Sequence, residues 1–301
     1  MKKNIIYAIA ASILLSACGT MRVAVDTPVA NQKTKDTRGN DMLLGHCSRS
    51  CLHESPYKEW FEKNYADYTV DAATTDQLKP LLQNKTIVVF MGTWCGDSRR
   101  EVPGLIKILD YCNIPDEQLK LIMVDYKDGA YKQSPQHEEK GNQLFRVPSI
   151  IIMSGNTETG RIVESPRQSL EKDLYEIVSA GKYQPNYSAG KWFFEKLEKT
   201  SIKKLYKDSA AIREKIKAQL KNSSELSSIG YVLLDRKENE KSIYCFLLNM
   251  DLYPTSVNTL NGLANAYIQN GEKEKAKLVL EKSRQVDVNN EETNRLTKML
   301  E

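Results

Sequence analysis

No apolar run in this chain of 301 residues reaches the roughly 20 residues that a bilayer-spanning helix needs, which excludes a multi-span membrane protein. Six cysteines are too few for a small scaffold stapled by disulfides. No sign of charge dominates. The 43 Lys and Arg against 39 Asp and Glu leave a formal +4 that is spread along the chain, so there is no dense basic stripe and nucleic acid is not an expected partner. A haem-attachment motif and a phosphate-binding glycine loop are both missing, so no cofactor is expected. What is present is ordinary globular composition, 41% apolar and 27% charged, at a length that suits two domains plus extras.

The first segment reads as an address. Met1-Lys2-Lys3 is a short basic start, and residues 5–15 are an apolar run of signal-peptide length. Leu15-Ser16-Ala17-Cys18-Gly19 follows, with small residues before a cysteine. This resembles a bacterial lipoprotein signal, which implies cleavage after residue 17 and lipidation of Cys18. Acyl chains add about 0.8 kcal/mol per buried methylene, so several of them anchor firmly. An ordinary secreted protein cut nearby, or an uncleaved anchor, is the alternative. In the resembled pattern an aspartate after the lipid cysteine marks inner-membrane retention. Here the residue is Gly19, so the expected location is the cell envelope, at the outer membrane and facing the periplasm. Residues 18–45 are polar for most of their length and are expected to be a flexible tether.

The run Thr86–Met91 is apolar and β-branched, as in a central strand buried on both faces. Gly92-Thr93-Trp94-Cys95-Gly96-Asp97-Ser98 follows, and then a helical pattern in Val102, Leu105, Ile106, Ile108 and Leu109. A cysteine at such a strand-to-helix junction sits where unpaired amides and the helix dipole favour a thiolate, the form that attacks disulfides. Trp94-Cys95-Gly96-Asp97-Ser98 with Pro103 beyond it resembles the thioredoxin family. Strand patterns at 119–125, 146–152 and 161–163 and a helix at 169–179 extend that resemblance over residues 68–181. It implies an α/β domain with a central mixed sheet flanked by helices, spanning 46–181 with an N-terminal helical extension. It also implies a cis peptide at Val147-Pro148 and a docking edge formed by Val147, Gly96 and Asp97.

The motif departs from the family in three places. Ser98 stands where the second cysteine usually lies, so no internal disulfide can close and Ser98 is left to hydrogen-bond the Cys95 sulfur. Asp97 places a carboxylate near that sulfur, which Arg99 and Arg100 would offset in part. Val89 occupies the position of a buried carboxylate that family members often carry. A monothiol cycle is therefore expected. Cys95 attacks a disulfide of a protein or small molecule, Trp94 shields the sulfur, Pro148 shapes the docking edge and another thiol resolves the adduct. The segment 128–142, rich in charge with Gly129, Pro135 and Gly141, is expected to be a surface loop or short helix near the site, with His137 solvated.

His46-Cys47-Ser48-Arg49-Ser50-Cys51-Leu52-His53 is compact. The spacing is wrong for a zinc knuckle and one short run rarely wraps a metal, so no metal site is expected. A Cys47–Cys51 disulfide, a role for either in resolving Cys95, and two unpaired thiols remain open. Trp60, Phe61, Tyr65 and Tyr68 suggest a helix whose aromatic face packs on the core, or lines a substrate groove. Cys112 and Cys245 fall in helical patterns and are expected to be small buried side chains.

Residues 182–222 read as a helical linker with a solvated basic face. In 223–301, Leu226, Ile229, Gly230, Leu233, Ser242 and Phe246 recur about 34 residues later as Leu260, Leu263, Ala264, Tyr267, Ala276 and Leu280. The pattern resembles the tetratricopeptide repeat and implies an all-α region that could dock a protein partner. Two functions stay open: thiol–disulfide exchange at Cys95, or a non-catalytic binding protein that recruits partners through both regions.

Overall fold

The apolar run becomes strand β3 (Thr86–Met91), covered on both faces, in the computed structural model, which describes residues 30–180 and 183–301. The expected leader and Cys18 lie outside the described residues. Around β3 stand β1 (Gln32–Lys35), β2 (Asp41–Cys47), β4 (Leu119–Met123), β5 (Ser149–Ser154) and β6 (Thr157–Val163), in the order β1-β2-β4-β3-β5-β6. β3 and β4 run parallel and every other pair is antiparallel. The side chains of β3 alternate, as a pleated strand requires. Ile87, Val89 and Met91 enter a large core shared with α1 (Lys58–Asp67), α2 (Ala72–Leu82), α3 (Gly96–Tyr111) and α4 (Leu170–Ala180). Val88 and Phe90 enter a smaller core on the other face with Ile122, Val124, Leu144, Val147 and Ile151, and Trp94 and Cys95 pack against it.

Two expectations are corrected. The supposed tether does not stay loose. Its residues 32–35 and 41–45 belong to the antiparallel pair β1–β2, and Met42, Leu43 and Leu44 are buried. The apolar triplet needs a surface to cover, and β4 offers an open edge; the polar residues before it suit the outer, solvent-facing strand. The segment 128–142 is not a surface loop either. Lys132, Gln133, Ser134, Glu138, Glu139 and Asn142 are buried, although the His137 side chain remains half exposed. Local pairing satisfies the polar groups. Asp125 and Lys132 exchange backbone bonds with partners across the segment, and the Glu139 carboxylate accepts from the Ser134 amide at 2.9 Å. The aromatic residues 60–68 do meet the core expectation, since Phe61 is buried and Trp60, Tyr65 and Tyr68 pack on the large core.

Arg161 of β6 secures this segment to the sheet. Its side chain is 2% exposed, donates to Asn142 O at 2.6 Å and grips the Glu158 carboxylate at 2.7 and 2.5 Å. Burial pulls the Glu158 carboxyl upward, but the hydrogen bonds and charge of Arg161 outweigh it, so the net shift is below the ordinary 4.5. That stabilisation is fully present above pH 4.5 and is lost as pH falls through the lower folded value. Arg161→Met should cost about 3–5 kcal/mol in a urea titration at pH 7, because the partly buried Glu158 carboxylate loses the cation that grips it. The variant should also lose this acid-side decline.

The C-terminal region is helical throughout: α5 (Ser188–Lys199), α6 (Ile202–Lys207), α7 (Ser209–Lys217), α8 (Ser223–Asp235), α9 (Asn239–Leu252), α10 (Val257–Gln269), α11 (Lys273–Val286) and α12 (Glu291–Lys298). Its larger core joins α5–α9 and takes in Phe145 from the sheet side, with the Phe145 and Phe194 rings 6.3 Å apart. Gly271 at φ +79° makes the turn between α10 and α11. Among the described residues no helix is long and apolar enough to cross a membrane.

Candidate functional site

Chain direction places Cys95. The chain leaves β3 at Met91, turns through Gly92-Thr93-Trp94 and enters α3, so Cys95 becomes the N-cap residue, with an extended backbone at φ −87° and ψ 125°. Its amide closes the turn on Gly92 O at 2.9 Å, and its carbonyl accepts from Arg99 N–H at 3.1 Å. The sulfur caps no amide. It donates to Val147 O at 3.3 Å and stays partly exposed. The Val147-Pro148 peptide is cis. Val147 and Pro148 are buried, whereas Gly96 beside the sulfur is exposed, and a Cβ there would meet nothing within 4 Å.

Trp94 forms a half-buried wall. Its indole N–H donates to Val124 O at 2.9 Å, and its ring lies 4.8 Å from that of Tyr126. Asp97 pairs with Arg100 at 2.8 Å, so its charge is partly matched by the cation anticipated for it. Arg99 instead donates to Thr93 O at 2.6 Å and lies over the Trp60 ring. Ser98 differs from its expected role. It is fully buried, its hydroxyl accepts from Gly92 N–H at 3.4 Å, and it makes no hydrogen bond to the Cys95 sulfur. Position 98 is one turn into α3 and points back under the 92–95 turn, so it braces the loop.

The other described cysteines are free and buried. Cys47 and Cys51 belong to the large core, on the sheet face opposite Cys95. Cys47 pairs with Leu121 while the thiol follows the end of β3 that aligns with Met123, so the pair also lies toward the other end of the strands. Burial, then repulsion from Cys51, pushes the Cys47 thiol up to about 12. Burial also raises Cys51, takes Cys112 to about 11 and raises Cys245. The structure does not bring Cys47 or Cys51 to Cys95 as resolving thiols. The compact spacing of Cys47 and Cys51 carried no information about which face they would occupy. Among the described residues no three His, Cys, Asp or Glu side chains converge as metal ligands would.

Sequence reasoning missed several residues around the thiol. Gly92 is one: a Cβ there would meet the Trp94 indole at 2.3 Å, so only glycine lets the ring lie flat on the turn. Gly92→Ala should displace Trp94 and cost about 1–3 kcal/mol, read by near-ultraviolet circular dichroism and a urea titration. Lys132 is another. Its ammonium nitrogen is buried and donates to Phe145 O at 2.8 Å, Ser228 Oγ at 3.0 Å and Tyr131 OH at 2.5 Å. Burial, reinforced by Arg146, lowers its pKa to about 7, while Cys95 and Glu164 pull the other way. In the sequence it is one lysine in a polar segment, and no local signal marks it as buried.

Comparison of the chain with protein-family models, with curated proteins and with solved structures returns no match.

Proposed function

We propose that this chain carries out thiol–disulfide exchange through a single thiol, Cys95, in a thioredoxin-like domain. The observation that carries the reading is the placement of Cys95. The partly exposed residue is the N-cap of α3, and its sulfur lies against the carbonyl of Val147, next to a cis proline. Sulfur at a helix N-terminus is favoured as thiolate, and the thiolate is the nucleophile in exchange. The exposed Gly96 leaves room for an extended substrate beside Val147. The substrate class is a protein or small-molecule disulfide. An external thiol resolves the adduct, since among the described residues no second cysteine stands beside Cys95. The sequence of the leader supports a lipid anchor at Cys18 in the cell envelope, and the helical hairpins of residues 223–301 suit tetratricopeptide-like repeats that dock a protein.

A second reading has a specific observation in its favour. With Ser98 in place of a resolving cysteine, the domain could bind extended chains without turning over. The rate of reaction of the full chain with an aromatic model disulfide at pH 7 separates the two. Exchange well above that of a free cysteine supports catalysis, and a rate no faster supports the binder.

A further inference from the structure

We propose that Lys132 is the proton-holding partner of Cys95, and that α8 of the helical region completes the thiol site by anchoring that lysine. This deepens the exchange reading above and rests on it for its substrate. The positions of the two side chains carry the inference. Lys132 Nζ and Cys95 Sγ hold backbone carbonyls two residues apart in one short segment, Phe145 O and Val147 O. The lysine and the sulfur are close enough for their charges to act on each other. No carboxylate is bonded to the amine. Its three partners are a carbonyl and two hydroxyls, so no anion fixes it as ammonium. β3 carries no acid group for the thiol. Lys132 approaches from the buried part of the 128–142 segment.

The groups facing the amine are Tyr131 from its own segment, Cys95 from the head of α3, Arg146 before β5 and Glu164 after β6. Arg146 opposes the ammonium but is itself tied to Glu164 at 2.9 Å and to Ser224 at 2.7 Å. The Cys95 thiolate favours the ammonium. Burial together with Arg146 brings the amine to about 7, where it can both take up and return a proton at neutral pH. Ser228 of α8 accepts from the amine and donates to Phe145 O at 3.0 Å, and Asp235 of α8 accepts from the Tyr131 amide at 2.8 Å. The helical region thereby fixes both residues of the Tyr131-Lys132 pair.

The step balances without an added redox agent. The Cys95 proton passes to Lys132 Nζ, and the sulfur's electron pair forms a new bond to one substrate sulfur. The substrate S–S bond breaks, and its other sulfur leaves with that pair as thiolate. An external thiolate then attacks the adduct and forms the new disulfide. Cys95 leaves as thiolate, and Lys132 returns the proton.

The test is the pH profile of Cys95 alkylation by iodoacetamide in the full chain, which reads thiolate without needing a disulfide. Lys132→Met should slow alkylation at pH 7 by about tenfold, with the two profiles converging in alkali. Lys132→Arg keeps the charge but cannot take up a proton, so it should restore alkylation at pH 7 and still slow turnover of a disulfide. Ser228→Ala keeps the lysine and removes one acceptor of its ammonium, so it should move the profile in the same direction by a smaller amount. If Lys132→Met does not fold, Ser228→Ala decides by that sign. Unchanged profiles in the variants that fold overturn the proposal. Lysine-dependent alkylation with no exchange on any disulfide would sink the exchange reading and leave the pairing standing. Exchange that ignores Lys132 would do the reverse.

Discussion

Cells making the wild-type chain should carry covalent adducts of Cys95 that a reductant releases, and Cys95→Ala should carry none. The expectation follows from what lies around the sulfur. An attacked disulfide leaves its partner bonded to Cys95, and release needs a second thiolate. Ser98, at the position a resolving thiol would take, is not a thiol and is turned to Gly92. Cys47 and Cys51 are buried on the far face of the sheet, and burial keeps the Cys47 thiol protonated up to about 12. Adducts should therefore persist until an external thiol arrives. Ser98→Cys should reverse this, because a thiol one helical turn from the adduct attacks at an effective concentration of roughly millimolar or more. The measurement is non-reducing electrophoresis of the tagged chain after rapid acid quench. High-mass species in the wild type, their loss in Cys95→Ala and their depletion in Ser98→Cys form one coherent outcome. Wild type without adducts would count for the binding reading.

Phe246→Ala should cost about 3–5 kcal/mol, and the loss should appear in the helical signal as urea unfolds the C-terminal region. The Phe246 ring is fully buried and is wedged between two helices that approach it through glycines. A Cβ on Gly230 of α8 would stand 2.6 Å from the ring, and one on Gly262 of α10 would stand 2.3 Å from it. Tyr231 meets the ring edge-on at 5.2 Å, so a third side is closed. With no direction of retreat, Gly262→Ala should itself cost about 1–3 kcal/mol. Combined with Phe246→Leu, which removes ring volume, the two changes should cost less than the sum of their separate losses. Additive losses would mean that the ring and the glycine do not share the space described.

Several features were legible because they depend only on local pattern. The β-branched run of β3, the strand-to-helix step that puts Cys95 on a helix N-terminus, the proline-bearing segment before β5 and the paired helices after residue 223 each follow from side-chain periodicity over a few residues. Gly230 was legible for the same reason, as a small residue at a regular interval. The polar composition of residues 32–41 misled, because one edge strand with solvent on its outer side reads like a linker until a partner edge is known. The segment 128–142 misled in the same way: charged residues read as solvated unless the groups that satisfy them can be seen.

By itself the sequence determined the strand at 86–91 and the helix after it, the place of the thiol and the absence of a second cysteine at position 98. These are statements about neighbours along the chain. Tertiary structure alone decided that Cys47 and Cys51 lie across the sheet from Cys95, that Ser98 braces a turn, and that Lys132 is buried where α8 meets the 128–145 segment. Each of those depends on which surfaces meet over separations such as the 96 residues between Lys132 and Ser228. Burial and charge coupling are set by that meeting, and no window of local sequence contains it.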